Sequence, residues 1–144
     1  MLVRQILNGK PSKGVETVTP DVTVAKAAGI LAARRFGALI VSEDGQVALG
    51  ILSERDIVRE LGKNGAGCMN EPVSKLMTRK LVNCSCDETA DQVLSKMTEG
   101  RFRHMPVVED GKMVGLISIG DVVKARLSEL SMEKDALEGM IMGH

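Results

Sequence analysis

The 144-residue sequence has no tryptophan, no tyrosine and only two phenylalanines. The aromatic platforms on which single-strand binders stack bases are therefore missing. Neither charge is in excess, since 19 Lys and Arg balance 19 Asp and Glu. A balanced chain carries no bulk field to attract nucleic acid. No apolar run approaches the ~18 residues of a membrane span. The first seven residues, Met1 to Leu7, lack the long apolar core of a signal peptide. A soluble, cytoplasmic protein is expected, with neither membrane nor nucleic acid as partner. Cysteine is scarce, and three is an odd number, which fits a reducing compartment. Cys84 and Cys86 are spaced C-x-C, but Cys68 and the two histidines add no second chelating pair. Ordinary buried or strand cysteines, and no metal, are expected. Catalytic sets are absent too: there is no P-loop, no G-x-G-x-x-G and no defensible Ser-His-Asp or Cys-His arrangement. His104 and His144, the last residue, are far apart in sequence. An enzyme is not expected.

What the chain does have is a repeat. Gly50-Ile51-Leu52-Ser53-Glu54-Arg55-Asp56-Ile57-Val58 returns as Gly115-Leu116-Ile117-Ser118-Ile119-Gly120-Asp121-Val122-Val123, with the glycines 65 residues apart. Each copy follows an Asp-Gly turn signal, Asp44-Gly45 and Asp110-Gly111, and these lie 66 apart. The first copy thus has one extra residue after its turn. Upstream, Thr19 to Thr23 aligns with Ser85 to Thr89, and Arg35-Phe36 with Arg101-Phe102. Two units of roughly 60 residues are too few and too long for a solenoid, so they read as one duplicated unit folded into a pair. Hydrophobic residues make up 44% of the chain, including nine methionines, enough for an aliphatic core.

Taken in order, residues 2–8 form a short helix and residues 10–14 a loop. Val15 to Val18 is a strand. Thr23 caps a helix from Val24 to about Phe36, with Ala27, Ala28, Leu31 and Ala32 on one face. Ala38 to Val41 is unbroken apolar sequence, as a doubly covered strand requires. The Asp44-Gly45 turn leads to a strand from Gln46 to Leu52. Ser53 caps a helix to about Leu61, and Gly62 to Gly67 is a flexible boundary. Pro72 to Thr78 is a short helix that opens the second unit. There follow a strand near Leu81 to Ser85, a helix from Thr89 to about Glu99, and strands Met105–Val108 and Met113–Ile117. The last helix starts at Ile119 and meets no breaker before Gly139, so it can extend past the fold as an arm.

The paired G-h-h-S-x-x-D segments, the strand from Arg103 to Val108 and the Pro72-to-Thr78 helix together resemble CBS motifs, named after cystathionine β-synthase. The chain resembles a tandem pair, or Bateman module, over about residues 1–142, of the small stand-alone bacterial type. The resemblance implies an α/β (α+β) fold. In it, two motifs, each a small, mainly parallel three-stranded sheet with helices, pack as a pseudo-two-fold pair. Motif 1 with its N-terminal helix takes residues 1–66, motif 2 takes 67–130, and 131–144 is a helical extension.

The Ser-x-x-Asp sites have two compatible readings. One is helix capping: Ser53 and Ser118 stand where a strand becomes a helix, with Asp56 and Asp121 three residues on. The other is ligand binding. A carboxylate in a first helical turn offers two acceptor oxygens to the adjacent hydroxyls of a ribose. The unpaired N–H groups of that turn, with the Ser hydroxyl, can take a phosphate. The resemblance implies that this Asp holds an adenosine ligand, and that AMP, NAD(H) or ATP is bound without catalysis. It further implies that Arg103 and His104, ahead of Met105, reach the phosphate of a nucleotide held by the other motif. Read from the residues alone, they form a solvated strand edge. Unit one has Gly37 and Ala38 at those positions. The clefts are therefore expected to be unequal: Asp56 with Arg103 and His104, and Asp121 framed by Phe36, Gly37 and Ala38. Arg55 and Lys124 are candidates for charge compensation or plain surface charge, and Gly120 lies within the second segment. Without Trp or Tyr, adenine would rest on aliphatic and backbone groups near Val18, Thr19 and Ala25, or Cys84, Ser85 and Ala90.

A regulatory sensor of adenine nucleotides, acting on a regulated protein by population shift, is the leading expectation. The alternative is a ligand-independent interaction module with vestigial sites. A homodimer is expected, because helices rich in Ala, Leu and Met leave apolar faces to cover.

Overall fold

Four helix starts reveal the duplication at the level of hydrogen bonds. The computed structural model describes residues 1–10 and 15–142. Most of the loop expected at 10–14, and His144, lie outside the described residues. The Thr23 hydroxyl accepts from Lys26 N at 3.2 Å and opens α2, Val24–Arg34. Thr89 accepts from Gln92 N and opens α5, Ala90–Gly100. Both helices end on an arginine in the left-handed region, Arg35 at φ 55° and Arg101 at φ 56°. Ser53 and Ser118 cap α3, Glu54–Asn64, and α6, Ile119–Ile141. An oxygen-bearing side chain at the cap satisfies one N–H that the helix itself leaves unpaired.

The first sheet has order β1-β2-β3, with β1 Thr17–Val18, β2 Ala38–Val41 and β3 Gly50–Ser53. β1 runs parallel to β2, and β3 antiparallel to it. The second sheet pairs β4, His104–Glu109, with β5, Lys112–Ser118, antiparallel. The fold is α+β with mixed sheets, so the expectation of mainly parallel three-stranded sheets is corrected. In unit two the strand expected near Leu81 to Ser85 is reduced to one parallel bridge, Cys84 to Val107. Pro106 explains why. Cys84 N donates to the Pro106 carbonyl at 3.0 Å, but proline has no N–H to extend the ladder toward Val82.

The hairpins differ at the extra residue. Asp110 and Gly111 have φ 51° and 77°, the tight two-residue turn that suits twisted strands. After Asp44-Gly45 the strand does not begin until Gly50. The intervening loop is tied by Asp44 Oδ1, which accepts from Gln46 N and Val47 N at 2.8 and 2.9 Å. The expected flexible stretch at Gly62 to Gly67 is mostly ordered structure as well. α3 runs on to Asn64, and a 3-10 turn spans Ala66–Asn70. An exposed glycine near a helix end costs only about 1 kcal/mol, too little to stop it.

The short helices that precede each unit cross over. α1, Val3–Asn8, contributes Val3 and Ile6 to the core of the second unit, beside Val93, Met97, Met105 and Ile117. Val3 N and Arg4 N donate to the carbonyls of Glu88 and Cys86 at 2.9 and 3.1 Å. α4, Val73–Leu76, joins Val24, Leu31, Leu39 and Leu52 in the first core. There Val73 N donates to the Val22 carbonyl at 2.8 Å. Neither core is complete without a helix that adjoins the other repeat in sequence.

Candidate functional site

A cavity of about 340 Å³ opens between the units. Phe36, Gly37 and Ala38 line it from the first unit, Leu116, Ser118 and Asp121 from the second. Lys10, Val15, Glu16, Arg35 and His104 complete the wall. The volume lies in the range of small-ligand sites, and the wall mixes apolar groups with a few charges.

Asp121 sits in the first turn of α6. Its Oδ2 accepts from Ser118 N at 2.9 Å, while its own N–H donates to Ser118 Oγ at 3.1 Å. This is a capping box with Asp in the place of Glu. Lys10 Nζ donates to the same Oδ2 at 3.0 Å and to the Leu116 carbonyl at 2.9 Å. Among the described residues, hydrogen bonds reach Oδ2 only. Burial pushes the Asp121 carboxyl upward, but hydrogen bonds from Ser118 and Lys10 outweigh it, and the net shift is below 3.8. The group is an anion at neutral pH.

His104 stands beside Gly37: a side-chain carbon added there would meet its Nε2 at 3.0 Å. Burial is the main reason its imidazole titrates below 6.5; Asp121 and Glu54 pull the other way, Lys10 and Arg103 with it. His104 is therefore a neutral donor and acceptor at neutral pH. It was expected with Asp56; here it shares the cavity wall with Asp121. His104 is the cross-strand partner of Ser118, and directly opposed residues present their side chains on one face. It consequently lines the cavity of its own unit's Asp121.

Asp56 is only 6% exposed. Its Oδ2 accepts from Ser53 N and Ser53 Oγ at 2.9 Å, and its Oδ1 accepts from Arg59 at 2.6 Å. Both carboxylate oxygens are engaged in these contacts. Arg103 is exposed and does not line the cavity; its carbonyl accepts from Ile119 N at 2.8 Å. Arg55, Gly120 and Lys124 are exposed and outside the wall. Val18 is buried in the first core, and Thr19 Oγ1 donates to Asp21 at 2.6 Å. Cys84 and Met105 are buried in the second core. Burial pushes the Cys84 thiol up to about 12, leaving it an inert apolar group.

Lys10, Val15, Glu16 and Leu116 were not legible as site residues. Lys10 follows a helix whose docking on the other unit no local pattern announces. The pairing of Arg35 with Arg101 in the repeat was a signal for Arg35. Among the described residues no group of three or more His, Cys, Asp or Glu could hold a metal ion, and no helix is long and apolar enough to cross a membrane.

The family described as "CBS domain" matches residues 3–63 and 73–128. The CBS domain-containing protein CBSCBSPB5 of Arabidopsis thaliana is 36% identical over 120 residues, which are 82% of this chain and 22% of that protein. The chain thus spans about a fifth of that relative's length, and the likeness is not confined to small bacterial proteins. Among solved structures, the CBS-domain containing protein ATU1752 from Agrobacterium tumefaciens is 46% identical with a TM-score of 0.84, over 88% of this chain and 99% of that one. The CBS domain pair of protein MJ0100, in complex with 5-methylthioadenosine and S-adenosyl-L-methionine, is 26% identical with a TM-score of 0.78, over 90% and 98%. CBSX2 in complex with AMP is 27% identical with a TM-score of 0.72, over 88% and 96%. Duplicated sequence, mixed sheets with flanking helices, and matches to both repeats agree: the chain belongs to the CBS-domain family, as a tandem pair of CBS domains.

Proposed function

We propose that the chain is a non-catalytic regulatory module that binds an adenine nucleotide, AMP, NAD(H) or ATP, in the Asp121 cavity between its units. The observation that carries this is the Asp121 carboxylate: anchored through Oδ2 by Ser118 and Lys10, it lines a partly apolar cavity, and among the described residues no hydrogen bond reaches its second oxygen. That oxygen suits a ribose hydroxyl. Lys10 and the first turn of α6 suit a phosphate. Phe36, Val15 and Leu116 offer the apolar contact that adenine needs in a chain without Trp or Tyr. The complexes of MJ0100 and CBSX2 support the reading, since their ligands share an adenosine part. The clefts are unequal in this proposal, with Asp121 the binding carboxylate and Asp56 chiefly a helix cap. Occupancy would bias the arrangement of the two units, and a regulated protein would read it. A cytoplasmic homodimer completes the proposal.

Calorimetry with AMP, ATP, NAD and NADH tests it. Saturable binding of AMP or NAD(H), lost in Asp121→Asn, is the expected result. No heat and no thermal shift with any of the four would refute it. The engaged carboxylate of Asp56 favours a second reading for that cleft alone, an interaction module with a vestigial site.

A further inference from the structure

The end of α1 is tied to the candidate site by one side chain. Lys10 Nζ donates to Asp121 Oδ2 at 3.0 Å and to the Leu116 carbonyl at 2.9 Å. One residue earlier on β5, Gly115 makes room for Leu7 of α1: a side-chain carbon there would meet Leu7 Cδ2 at 2.8 Å. Consecutive residues of β5 thus seat the last turn of α1 and the lysine that follows it. The start of α1 is held elsewhere, by Val3 N on the Glu88 carbonyl and Arg4 N on the Cys86 carbonyl. Six residues are too few for a helix to persist alone in water. α1 exists because it is docked, and the Lys10 contact is part of the docking. We propose that Lys10 is a latch: a ligand in the Asp121 cavity that competes for the carboxylate loosens α1 from the second unit, and a ligand that brings its own phosphate tightens it.

The latch rests on the nucleotide reading above and adds its regulation. A ribose donates its hydroxyl hydrogens to Asp121 and so competes with the Lys10 ammonium for one acceptor. Among the described residues, the other acceptor of Lys10 is the Leu116 carbonyl, a weaker hold on a charge. A phosphate gives the lysine a second anion, and an ammonium between a carboxylate and a phosphate is held from both sides. Nucleoside and nucleotide therefore fill one cavity and drive α1 in opposite directions, each by its difference in affinity for the two arrangements. Linkage requires the converse: undocked α1 favours the nucleoside, and docked α1 the nucleotide. The effect reaches beyond the cavity. No residue of α1 lines the cavity wall, yet Val3 and Ile6 are buried in the second core, so a loosened α1 uncovers part of that core.

Residue-resolved hydrogen exchange of the full chain tests it, with Leu39 on the central strand of the first sheet as reference. Without ligand, Ile6 and Gly9, whose N–H groups donate to the Leu2 and Gln5 carbonyls, should exchange faster than Leu39, because α1 opens locally. Lys10→Met should speed both roughly fivefold or more, as expected for loss of a half-sheltered charged hydrogen bond. Lys10→Arg, which keeps the charge, should stay near the original rate. Saturating AMP should slow Ile6, Gly9 and Leu39 alike. Saturating adenosine should slow Leu39 but speed Ile6 and Gly9, an opposition that plain stabilisation cannot produce. In Lys10→Met the opposition should vanish. Three results would overturn the latch: α1 exchanging no faster than Leu39, α1 indifferent to Lys10→Met, or AMP and adenosine moving α1 the same way. Calorimetry on the same samples separates this from the reading beneath it. If neither ligand binds, ligand control fails together with the nucleotide reading; if both bind without the opposition, the latch alone is wrong.

Discussion

Replacing Lys10 by methionine keeps the length of the side chain and removes its charge. The lysine donates to Asp121 Oδ2 at 3.0 Å and to the Leu116 carbonyl at 2.9 Å. The two side chains of the ion pair are 28% and 23% exposed. Hydrogen bonds to charged groups contribute about 1.5–3 kcal/mol when sheltered, and exposed pairs about 0–1. Partial shelter places the stability loss of Lys10→Met at about 1–2 kcal/mol, measurable as a lower urea midpoint. The binding consequence separates two ligands. Adenosine needs the carboxylate and the apolar wall, and Lys10→Met removes a competitor for that carboxylate, so its affinity should hold or rise slightly. AMP also presents a phosphate, and loss of its charged partner should cost about 1.5–3 kcal/mol, or roughly 10–150-fold. The ratio of AMP to adenosine affinity, measured by calorimetry, should therefore fall at least tenfold. An unchanged ratio would refute the assignment of Lys10 to the phosphate end of the cavity.

Asp121→Asn should abolish nucleotide binding with modest loss of stability, whereas Asp56→Ala should spare binding and lower the melting temperature, by at least the ~1 kcal/mol of a lost cap; paired calorimetry and thermal melts check both. Arg103→Ala should leave affinity at the Asp121 cavity unchanged in the same titrations. Because burial holds His104 below 6.5, the unfolded chain binds its proton first as pH falls. Its contribution is thus present above about 6.5 and lost as pH drops toward the folded value, and His104→Gln should flatten that part of a urea-midpoint profile. Asp121, also shifted downward from its ordinary 3.8, contributes above that value and loses its contribution as pH falls further. A methyl group at Gly50 would meet Met77 Sδ at 2.6 Å and the Thr78 carbonyl at 3.0 Å, whereas one at Gly115 meets only the tip of Leu7, at 2.8 Å. Gly50→Ala should therefore cost about 1–3 kcal/mol and Gly115→Ala less, by chemical denaturation.

The sequence by itself determined what depends on near neighbours along the chain. The repeat at offsets of 65 and 66 residues announced two like units. Ser53, Ser118, Thr23 and Thr89 announced helix starts, because a cap bonds the N–H three residues on. Ala38 to Val41 announced a buried strand, because four consecutive apolar residues need cover on both faces. Only the tertiary structure decided what depends on residues far apart. α1 and α4 each fill the other unit's core, an exchange with no local signature, since either core would accept a short apolar helix. That exchange carries Lys10 to Asp121, 111 residues away in sequence. Strand register, set by the whole hairpin, put His104 opposite Ser118. Two identical Ser-x-x-Asp boxes acquired different fates in the same way. Arg59 closes one carboxylate from within its own helix, while the other faces a cavity whose wall is drawn from both units.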